Sequence, residues 1–187
     1  MVTGKSPEKS AGQDGSRGAG QSPEGGVGQD GARGVGKSAR ESRTEQIQVV
    51  QQQHINGYRR LFGGQLMAWM DVVAGVTARR HSGHIVTTAF VDNLEFLAPA
   101  YIDNLVIING RVTHTGRTSM EVLVEADTEA MDSSRRPLNQ AYFVMVALDE
   151  TDRPVPVPPL ILETEEERRE WAAAEKRRAY RQGYRQK

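Results

Sequence analysis

The sequence contains no cysteine, and this absence excludes several kinds of site at once. A thiol nucleophile, a thiolate metal site and a disulfide framework all need that residue. The G-x-S-x-G and H-E-x-x-H motifs of serine hydrolases and zinc proteases are also missing. The four histidines, His54, His81, His84 and His114, do not have a spacing typical of metal sites, so we expect no bound metal. Any catalytic site in this chain should therefore centre on a carboxylate.

Long apolar runs and an excess of charge of one sign are lacking too. No stretch approaches the roughly 20 apolar residues of a membrane helix, and the N-terminus lacks the apolar segment of a secretory signal. Lys and Arg number 24, and Asp and Glu also number 24. The net charge of zero gives no general attraction to nucleic acid or to an anionic membrane. We therefore expect a cytoplasmic protein with no nucleic-acid or membrane partner.

Large apolar side chains are scarce over residues 1–43, which are rich in Gly, Ser and Gln. Such a segment buries too little surface to offset an ordering cost of about 1–2 kcal/mol per residue, so we predict a disordered tail. Residues 31–38 match the phosphate-binding P-loop pattern, and residues 26–31 match a dinucleotide-binding pattern. No apolar strand precedes either match, as such loops require. We interpret both as chance matches within a glycine-rich segment.

An α+β fold is predicted for the remainder, with a folded domain over residues 44–160 and a charged C-terminal helix and tail over residues 161–187. A helix over about Gly63–His81 is apolar on nearly every side, which is typical of a buried helix. Alternating apolar residues predict a strand that begins near Thr44, followed later by strands at Val86–Phe96, Leu105–His114, Ser119–Thr128 and Ala141–Leu148. One sheet wrapped on one helix leaves a sheet face and its edges uncovered, so we expect self-association.

Two shorter patterns mark the ends of elements. The stretch around Gly116 predicts a hairpin turn in which this glycine supplies an unusual φ. Thr164 and Glu167 form a capping box that begins the final helix. We expect that helix to pack Trp171 and Ala174 against the body or against a neighbouring subunit.

Asp71 is the unusual residue of the apolar helix. An ionised carboxylate there is costly unless it is paired or hydrogen-bonded, and such a group suits a general base or a nucleophile. A structural aspartate that binds a neighbouring loop would also fit. At the start of the helix, Gly63 and Gly64 would let a ligand approach unpaired N–H groups able to bind an oxyanion. A tight entry into a crowded helix would explain the two glycines equally well.

Several segments in the same order resemble the acyl-CoA thioesterases of the hotdog superfamily. Asn56 followed by the run from Leu61 to Asp71, LFGGQLMAWMD, carries the resemblance most specifically. The later segments Val86–Thr88, Leu94–Phe96, Val112–Glu121 and Phe143–Asp149 agree with it. The resemblance covers about residues 44–180 and implies a hotdog fold, in which an antiparallel sheet wraps around one long central helix. It also implies hydrolysis of acyl-CoA to free CoA and a carboxylic acid, with no cofactor beyond the CoA of the substrate.

The resemblance also implies roles for individual residues. Asp71 acts as general base or nucleophile, and Asn56 reaches across a dimer interface to orient the carbonyl or the water near the partner's Asp71. The N–H groups near Gly63 and Gly64 are the oxyanion candidates. The dimers are expected to form a trimer of dimers. The CoA-binding residues that it implies are Thr87, Thr115, Gly116, Arg117, Thr118 and Ser119.

Arg59 is a departure from the pattern, because many relatives carry glycine at its position. We expect Gly57 to take over the flexible role in this loop. Two other functions stay open at this stage. A hotdog hydratase or dehydratase would need a histidine such as His54 paired with Asp71. A non-catalytic acyl-CoA sensor or scaffold would need Asp71 to be purely structural.

Overall fold

Five antiparallel strands and one long helix form the body of the fold. The structure, a computed structural model, describes residues 33–184. Between the second strand and the long helix, Gln52–His54 form a single 3₁₀ turn. The elements are β1 (Lys37–Ser38), α1 (Ala39–Ser42), β2 (Thr44–Val49), α2 (Gly63–Ser82), β3 (Ile85–Phe96), β4 (Leu105–Thr115), β5 (Ser119–Glu129), β6 (Arg135–Leu148), β7 (Leu160–Ile161) and α3 (Glu165–Tyr184).

The main sheet has the strand order β2-β4-β5-β6-β3, and all neighbours are antiparallel. Strand β6 lies between β5 and β3, as its apolar residues on both faces suggest. It begins at Arg135, six residues before the predicted start at Ala141. The reason is a cross-strand pair: Arg135 lies opposite Glu129 of β5, and its Nε donates to that carboxylate at 2.8 Å.

Helix α2 packs one face against the sheet. Gly110 of β4 allows the close approach, because a Cβ there would lie 2.6 Å from Thr77 Oγ1 and 2.8 Å from Val73 Cγ1. Leu66, Met70, Val73 and Ala74 are all at most 1% exposed on this side of the helix. The helix therefore covers the inner face of the sheet and forms the hydrophobic core with it.

The opposite face of α2 is open. Ala68, Asp71, Val72 and Arg79 are exposed there, so the prediction of a helix buried on all sides is wrong for half of its surface. A single sheet can cover only one side of a helix. The apolar residues on the other side of α2 are therefore available for contact with another molecule.

A β-bulge changes which way the side chains of β3 point. The expectation from simple alternation was that Val86, Thr88 and Phe90 share one side. In the structure Thr88 lies opposite Met145 and Phe90 lies opposite Val144, so the ladder shifts between them. The extra residue sends Phe90 to the outer face of the sheet, while Thr88 faces α2.

The fold begins earlier than the boundary predicted at residue 44. Lys37 and Ser38 pair in parallel with Leu160 and Ile161, and α1 follows directly. The residues involved are small or polar, so their composition alone gave no sign of this packing. Because these two residues pair with β7, the last part of the P-loop-like match at residues 31–38 is a strand. Residues 1–32, including the match at 26–31, lie outside the described residues.

Helix α3 begins at the predicted capping box. Thr164 Oγ1 accepts the N–H of Glu167 at 3.1 Å, and the Glu167 carboxylate accepts the N–H of Thr164 at 3.0 Å. Ala174 is 1% exposed, and the Trp171 ring lies 4.1 Å from the ring of His114. The prediction that these two residues pack on the body is thus confirmed. Among the helices of residues 33–184, none is long and apolar enough to span a membrane.

Candidate active site

Asp71 lies in a groove between the open face of α2 and the beginning of β3. The groove has a volume of about 630 Å³. The carboxylate is exposed, so the prediction of a side chain buried within one chain is wrong. The physical cause is the open side of the helix, on which Asp71 happens to lie. The groove is lined by Asp71, Val72, Gly75, Val76, Arg79, Ile85, Val86, Thr87, Thr88 and Met145.

Thr88 holds the Asp71 carboxylate in place. Its Oγ1 donates to Asp71 Oδ1 at 2.5 Å and also lies 3.5 Å from Met145 Sδ. The family resemblance predicts a CoA-binding role for Thr87 and none for Thr88. Thr87 is exposed and lines the same groove. Alternation along β3 could have identified Thr88, because it predicts that Thr88 faces the same side as the half-buried Val86.

Asn56 lines a second groove, of about 340 Å³, together with Gly63, Leu66 and Phe96. Its Oδ1 accepts the N–H groups of Tyr58 at 2.9 Å and Arg60 at 3.2 Å. The amide oxygen therefore stabilises the loop that follows. The Nδ2 group carries the side chain's hydrogen-bond donors.

The start of α2 forms one wall of this second groove. The first helical hydrogen bonds are donated by Gln65 and Leu66 to the Phe62 carbonyl, at 2.9 and 3.1 Å. Gly63 and Gly64 precede them, where helix N–H groups lack an intrahelical acceptor. A Cβ on Gly64 would lie 2.5 Å from the Phe62 ring, so tight packing also requires glycine.

Within one chain, the two grooves are separate. Gly63 lies eight residues before Asp71 on α2, which corresponds to about 12 Å along the helix axis. Asn56 and Gly63 line one groove and Asp71 lines the other. A single subunit therefore does not bring the predicted catalytic residues together.

The turn between β4 and β5 is fixed by its own backbone and by the segment before β7. Gly116 N–H donates to Ser119 O at 2.7 Å, and Leu160 N–H donates to Thr115 Oγ1 at 3.0 Å. Val157 N–H donates to the Arg117 carbonyl at 3.0 Å. The Arg117 side chain is exposed, and Thr118 is half-buried.

Gly116 does not have the predicted unusual φ. Among the glycines of residues 33–184, only Gly34 and Gly83 have a positive φ. A Cβ on Gly116 would instead lie 2.9 Å from Ser119 Oγ, so this position favours glycine for its small size.

The loop after Asn56 corrects a second conformational prediction. Gly57 does not have a positive φ, whereas Arg59 has a φ of 61°. The left-handed conformation falls on the position where many relatives carry glycine, because glycine adopts it without steric cost. Arg59 adopts it with a side chain present.

The histidines have structural contacts. His54 Nδ1 accepts the N–H of Gln51 at 3.1 Å, and its ring packs edge-on against Trp69 at 4.9 Å. It does not form the pair with Asp71 that a hydratase would need. His81 is fully buried, and burial lowers its pKa. In the part of the chain that the structure describes, no group of three or more His, Cys, Asp or Glu could hold a metal ion.

The fold of one long helix wrapped by an antiparallel sheet is shared by known proteins. A family model described as the thioesterase superfamily matches residues 58–133. An uncharacterised acyl-CoA thioester hydrolase of Zymomonas mobilis is 35% identical over 106 residues, which are 56% of this chain and 71% of that protein. The chain belongs to the acyl-CoA thioester hydrolases of this hotdog-fold superfamily.

Other relatives differ in length. An uncharacterised acyl-CoA thioester hydrolase of Bacillus subtilis is 40% identical over 60% of this chain and 66% of its own length. The cytosolic acyl coenzyme A thioester hydrolase of Rattus norvegicus is 38% identical over 65% of this chain. The match covers only 34% of the rat protein, so this chain corresponds to about a third of it.

Solved structures share the whole fold. A hexameric acyl-CoA thioesterase in its apo form superposes with a TM-score of 0.77 at 34% identity, over 80% of this chain and 97% of that one. The acyl-CoA hydrolase of Staphylococcus aureus, solved with butyryl coenzyme A and coenzyme A, has a TM-score of 0.75 at 31% identity. That match covers 80% of this chain and 92% of the other.

Proposed function

We propose that this protein hydrolyses acyl-CoA thioesters to free CoA and a carboxylic acid. The observation that carries the proposal is the Asp71 carboxylate, oriented by Thr88 in an open groove with apolar walls. In the reaction water adds to the thioester carbonyl, the C–S bond breaks, and CoA leaves as the thiol. Asp71 either accepts the proton of the attacking water or attacks the carbonyl itself to form an anhydride that water then hydrolyses.

The spacing of three residues supports these roles. The Staphylococcus aureus hydrolase has been solved with alanine in place of an asparagine, an aspartate and a threonine. The intervals between those three residues equal the intervals between Asn56, Asp71 and Thr88 here. We infer that Thr88 belongs to the catalytic site and that Thr87 contributes to the path of the substrate.

A second subunit would complete the site. The open face of α2 and the edge strand β3 expose large apolar side chains: Val72 is 55% exposed, Ile85 60% and Phe96 52%. A self-complementary dimer through this surface would bury them and would bring the partner's Asn56 towards Asp71. There the partner's Asn56 would donate through Nδ2 to the thioester carbonyl, with the N–H groups of its Gly63 and Gly64 nearby. Because a relative is hexameric, we propose that three such dimers assemble.

The turn between β4 and β5 lies at the same end of the sheet as the Asp71 groove. Ser119, Val146 and Thr87 lie side by side on adjacent strands. A CoA molecule could therefore extend from Asp71 over the end of the sheet to the turn. There Arg117 and the hydroxyls of Thr118 and Ser119 would bind phosphate. Thr115 is excluded from this role, because it is 4% exposed and its hydroxyl accepts the N–H of Leu160.

No cofactor beyond the CoA of the substrate is needed for this chemistry. The cytosolic name of the rat relative supports a cytoplasmic location for this protein.

The direct test is hydrolysis of an acyl-CoA series from acetyl to palmitoyl, with a thiol reagent that detects released CoA. Wild type should release CoA, and Asp71→Asn should lose nearly all activity. Asp152→Asn changes an exposed aspartate that does not line the groove; it is the matched control and should keep the activity. Tight acyl-CoA binding by the wild type without release of CoA would reject hydrolysis and favour a sensor.

The shared site is tested by mixing two inactive variants. Asn56→Ala and Asp71→Asn each damage every site of their own homodimer. In a mixed dimer, one site combines the intact Asp71 of one subunit with the intact Asn56 of the other. Mixed subunits should therefore regain part of the activity. If Asn56 and Asp71 acted within one subunit, mixing would restore nothing.

A further inference from the structure

Arg33 connects the N-terminal segment to the turn between β4 and β5. Its Nη2 donates to the Gly116 carbonyl at 2.7 Å, and its Nε donates to the Val157 carbonyl at 3.3 Å. Gly116 belongs to the turn, and Val157 belongs to the segment before β7. One half-buried guanidinium therefore joins two segments that are distant in the sequence.

Val157 closes this contact into a ring of hydrogen bonds. Its N–H donates to the Arg117 carbonyl at 3.0 Å, while its own carbonyl accepts the bond from Arg33. The Thr118 carbonyl accepts the N–H of Ala147 at 3.0 Å. Three consecutive carbonyls of the turn are thus bonded to groups outside it, and Arg33 supplies the charged donor among those groups.

The chain before β1 is shaped so that Arg33 reaches the turn. Gly34 has a φ of 73°, in the left-handed region that glycine adopts without steric cost. Gly36 lies close to β7, where an added Cβ would be 3.0 Å from Ile161 Cγ1. The next two residues pair with β7 and fix the segment to the body. This part of the P-loop-like match therefore has a structural role, in which two glycines guide the chain and Arg33 contacts the turn.

A charged donor at this position has a consequence for any ligand of the turn. A charge-assisted hydrogen bond is about twice as strong as a neutral one, so it restricts the turn more than a backbone bond would. The guanidinium also offsets part of the negative charge on the Gly116 carbonyl oxygen, within the turn proposed to bind phosphate. A turn that is already held in one conformation loses less freedom when a ligand binds, and this raises its affinity.

We infer that Arg33 is a positioning residue for coenzyme A, which acts by holding the turn between β4 and β5 and not by touching the substrate. The inference rests on the proposed acyl-CoA hydrolysis. Arg33 lies outside residues 58–133, which the family model matches, so this role belongs to the N-terminal segment of this chain. Asp71 and Thr88 lie in the groove beside α2. Loss of Arg33 should therefore weaken substrate binding and leave the chemical step unchanged.

The test compares steady-state hydrolysis of acyl-CoA by the full-length wild type and by Arg33→Ala, at a temperature at which both are folded. Arg33→Ala should raise KM by about threefold to tenfold, the change that corresponds to one weakened hydrogen bond, with kcat unchanged. Arg33→Lys keeps the charge and replaces the forked donors by a single ammonium, so it should raise KM less. An S-acyl pantetheine, which lacks the phosphates of CoA, should have the same KM with the wild type and with Arg33→Ala.

Arg40→Ala is the matched control, because Arg40 is an exposed arginine of the same N-terminal segment, on α1. It should leave KM unchanged. In a protein that hydrolyses acyl-CoA, an unchanged KM in Arg33→Ala would overturn the positioning role alone. An equal rise of KM with S-acyl pantetheine would also overturn it, because the effect would then not pass through the phosphates.

A wild type that hydrolyses no acyl-CoA would reject the proposed hydrolysis. Calorimetric titration with coenzyme A would then test Arg33 separately, and Arg33→Ala should raise the Kd of coenzyme A by the same factor. An unchanged Kd, or a wild type that does not bind coenzyme A, would overturn the positioning role as well.

Discussion

Two glycine-to-alanine substitutions should change the stability of this protein in opposite directions. Gly110 lies on β4 beneath α2, and Gly75 lies on the open face of α2. A Cβ on Gly110 would be 2.6 Å from Thr77 Oγ1, whereas a Cβ on Gly75 would meet nothing within 4 Å. Both changes add the same methyl group, so the surroundings of each site decide the sign.

The surroundings of Gly110 are rigid. Thr77 Oγ1 donates to the Val73 carbonyl at 2.8 Å, and both residues are at most 1% exposed. The helix must therefore move away from the sheet, which costs about 1–3 kcal/mol for overpacking of this kind. The reduced freedom of the unfolded chain offsets about 0.4–1 kcal/mol of that cost. We expect Gly110→Ala to lower the free energy of unfolding by about 1–2 kcal/mol.

At a protein concentration low enough to keep the subunits apart, Gly75→Ala should raise the free energy of unfolding by about 0.5–1 kcal/mol, because alanine is the better helix former and no group of the same chain lies within 4 Å of the added Cβ. Urea unfolding of both variants at one protein concentration measures the difference, since self-association makes apparent stability depend on concentration. A shift of the same sign in both variants would refute the reasoning. A loss of stability in Gly75→Ala that appears only at concentrations at which the subunits associate would mean that the partner fills the space beside Gly75.

Three further substitutions test contacts elsewhere in the fold. Arg177→Met should lower the free energy of unfolding by about 1–3 kcal/mol, because the buried Glu121 loses one of its two guanidinium partners. Urea unfolding at neutral pH measures this loss. An unchanged midpoint would show that the ion pair between Arg177 and Glu121 does not stabilise the fold. Burial lowers the pKa of His81 from 6.5, so the unfolded chain takes up this proton first and stability falls as the pH drops below that value. In His81→Gln, the unfolding midpoint should therefore change less with pH below 6.5 than it does in the wild type. An unaltered slope would show that His81 does not cause this pH dependence. Arg33→Ala should lower the free energy of unfolding by about 1–2 kcal/mol, because the Arg33 guanidinium donates to the Gly116 carbonyl at 2.7 Å. An unchanged melting temperature would show that Arg33 does not contribute to the stability of the fold.

The regular elements could be predicted from the sequence because their signals are local. The predicted helix over Gly63–His81 differs from the observed helix Gly63–Ser82 by one residue at its end. The capping box at Thr164, predicted from the spacing of Thr164 and Glu167, is present in the structure. Periodicity and capping depend only on residues a few positions apart. Strand β6 begins earlier than predicted because its first residues are held by the backbone ladder with β5 and by the ion pair between Arg135 and Glu129, which the sequence of β6 alone does not show.

The position of Asp71 could not be predicted, because exposure depends on how many layers cover a helix. The apolar residues around α2 indicate that every side of the helix packs against protein. They do not indicate whether that protein is the same chain or another one. Alternation along β3 places Thr88 on the side that faces α2, whereas the outward position of Phe90 depended on the β-bulge in the pairing of β3 with β6 and could not be predicted. The left-handed residue at Arg59 and the close contact between Gly116 and Ser119 lie in tight loops whose hydrogen bonds join residues two to four positions apart, and composition does not specify which residue of such a loop takes the unusual conformation.

An exposed Asp71 in one chain is physically reasonable for the proposed two-subunit site. Removing a carboxylate from water costs several kcal/mol, a large part of the roughly 5–15 kcal/mol that stabilises a domain. A single chain that buried Asp71 would bear this cost during folding. On the open face the carboxylate stays exposed and bonded to Thr88, and in the proposed dimer it would lose water only when the partner covers Val72, Ile85 and Phe96. Burial of those apolar side chains then offsets the desolvation, so formation of the dimer and formation of a reactive carboxylate become one event.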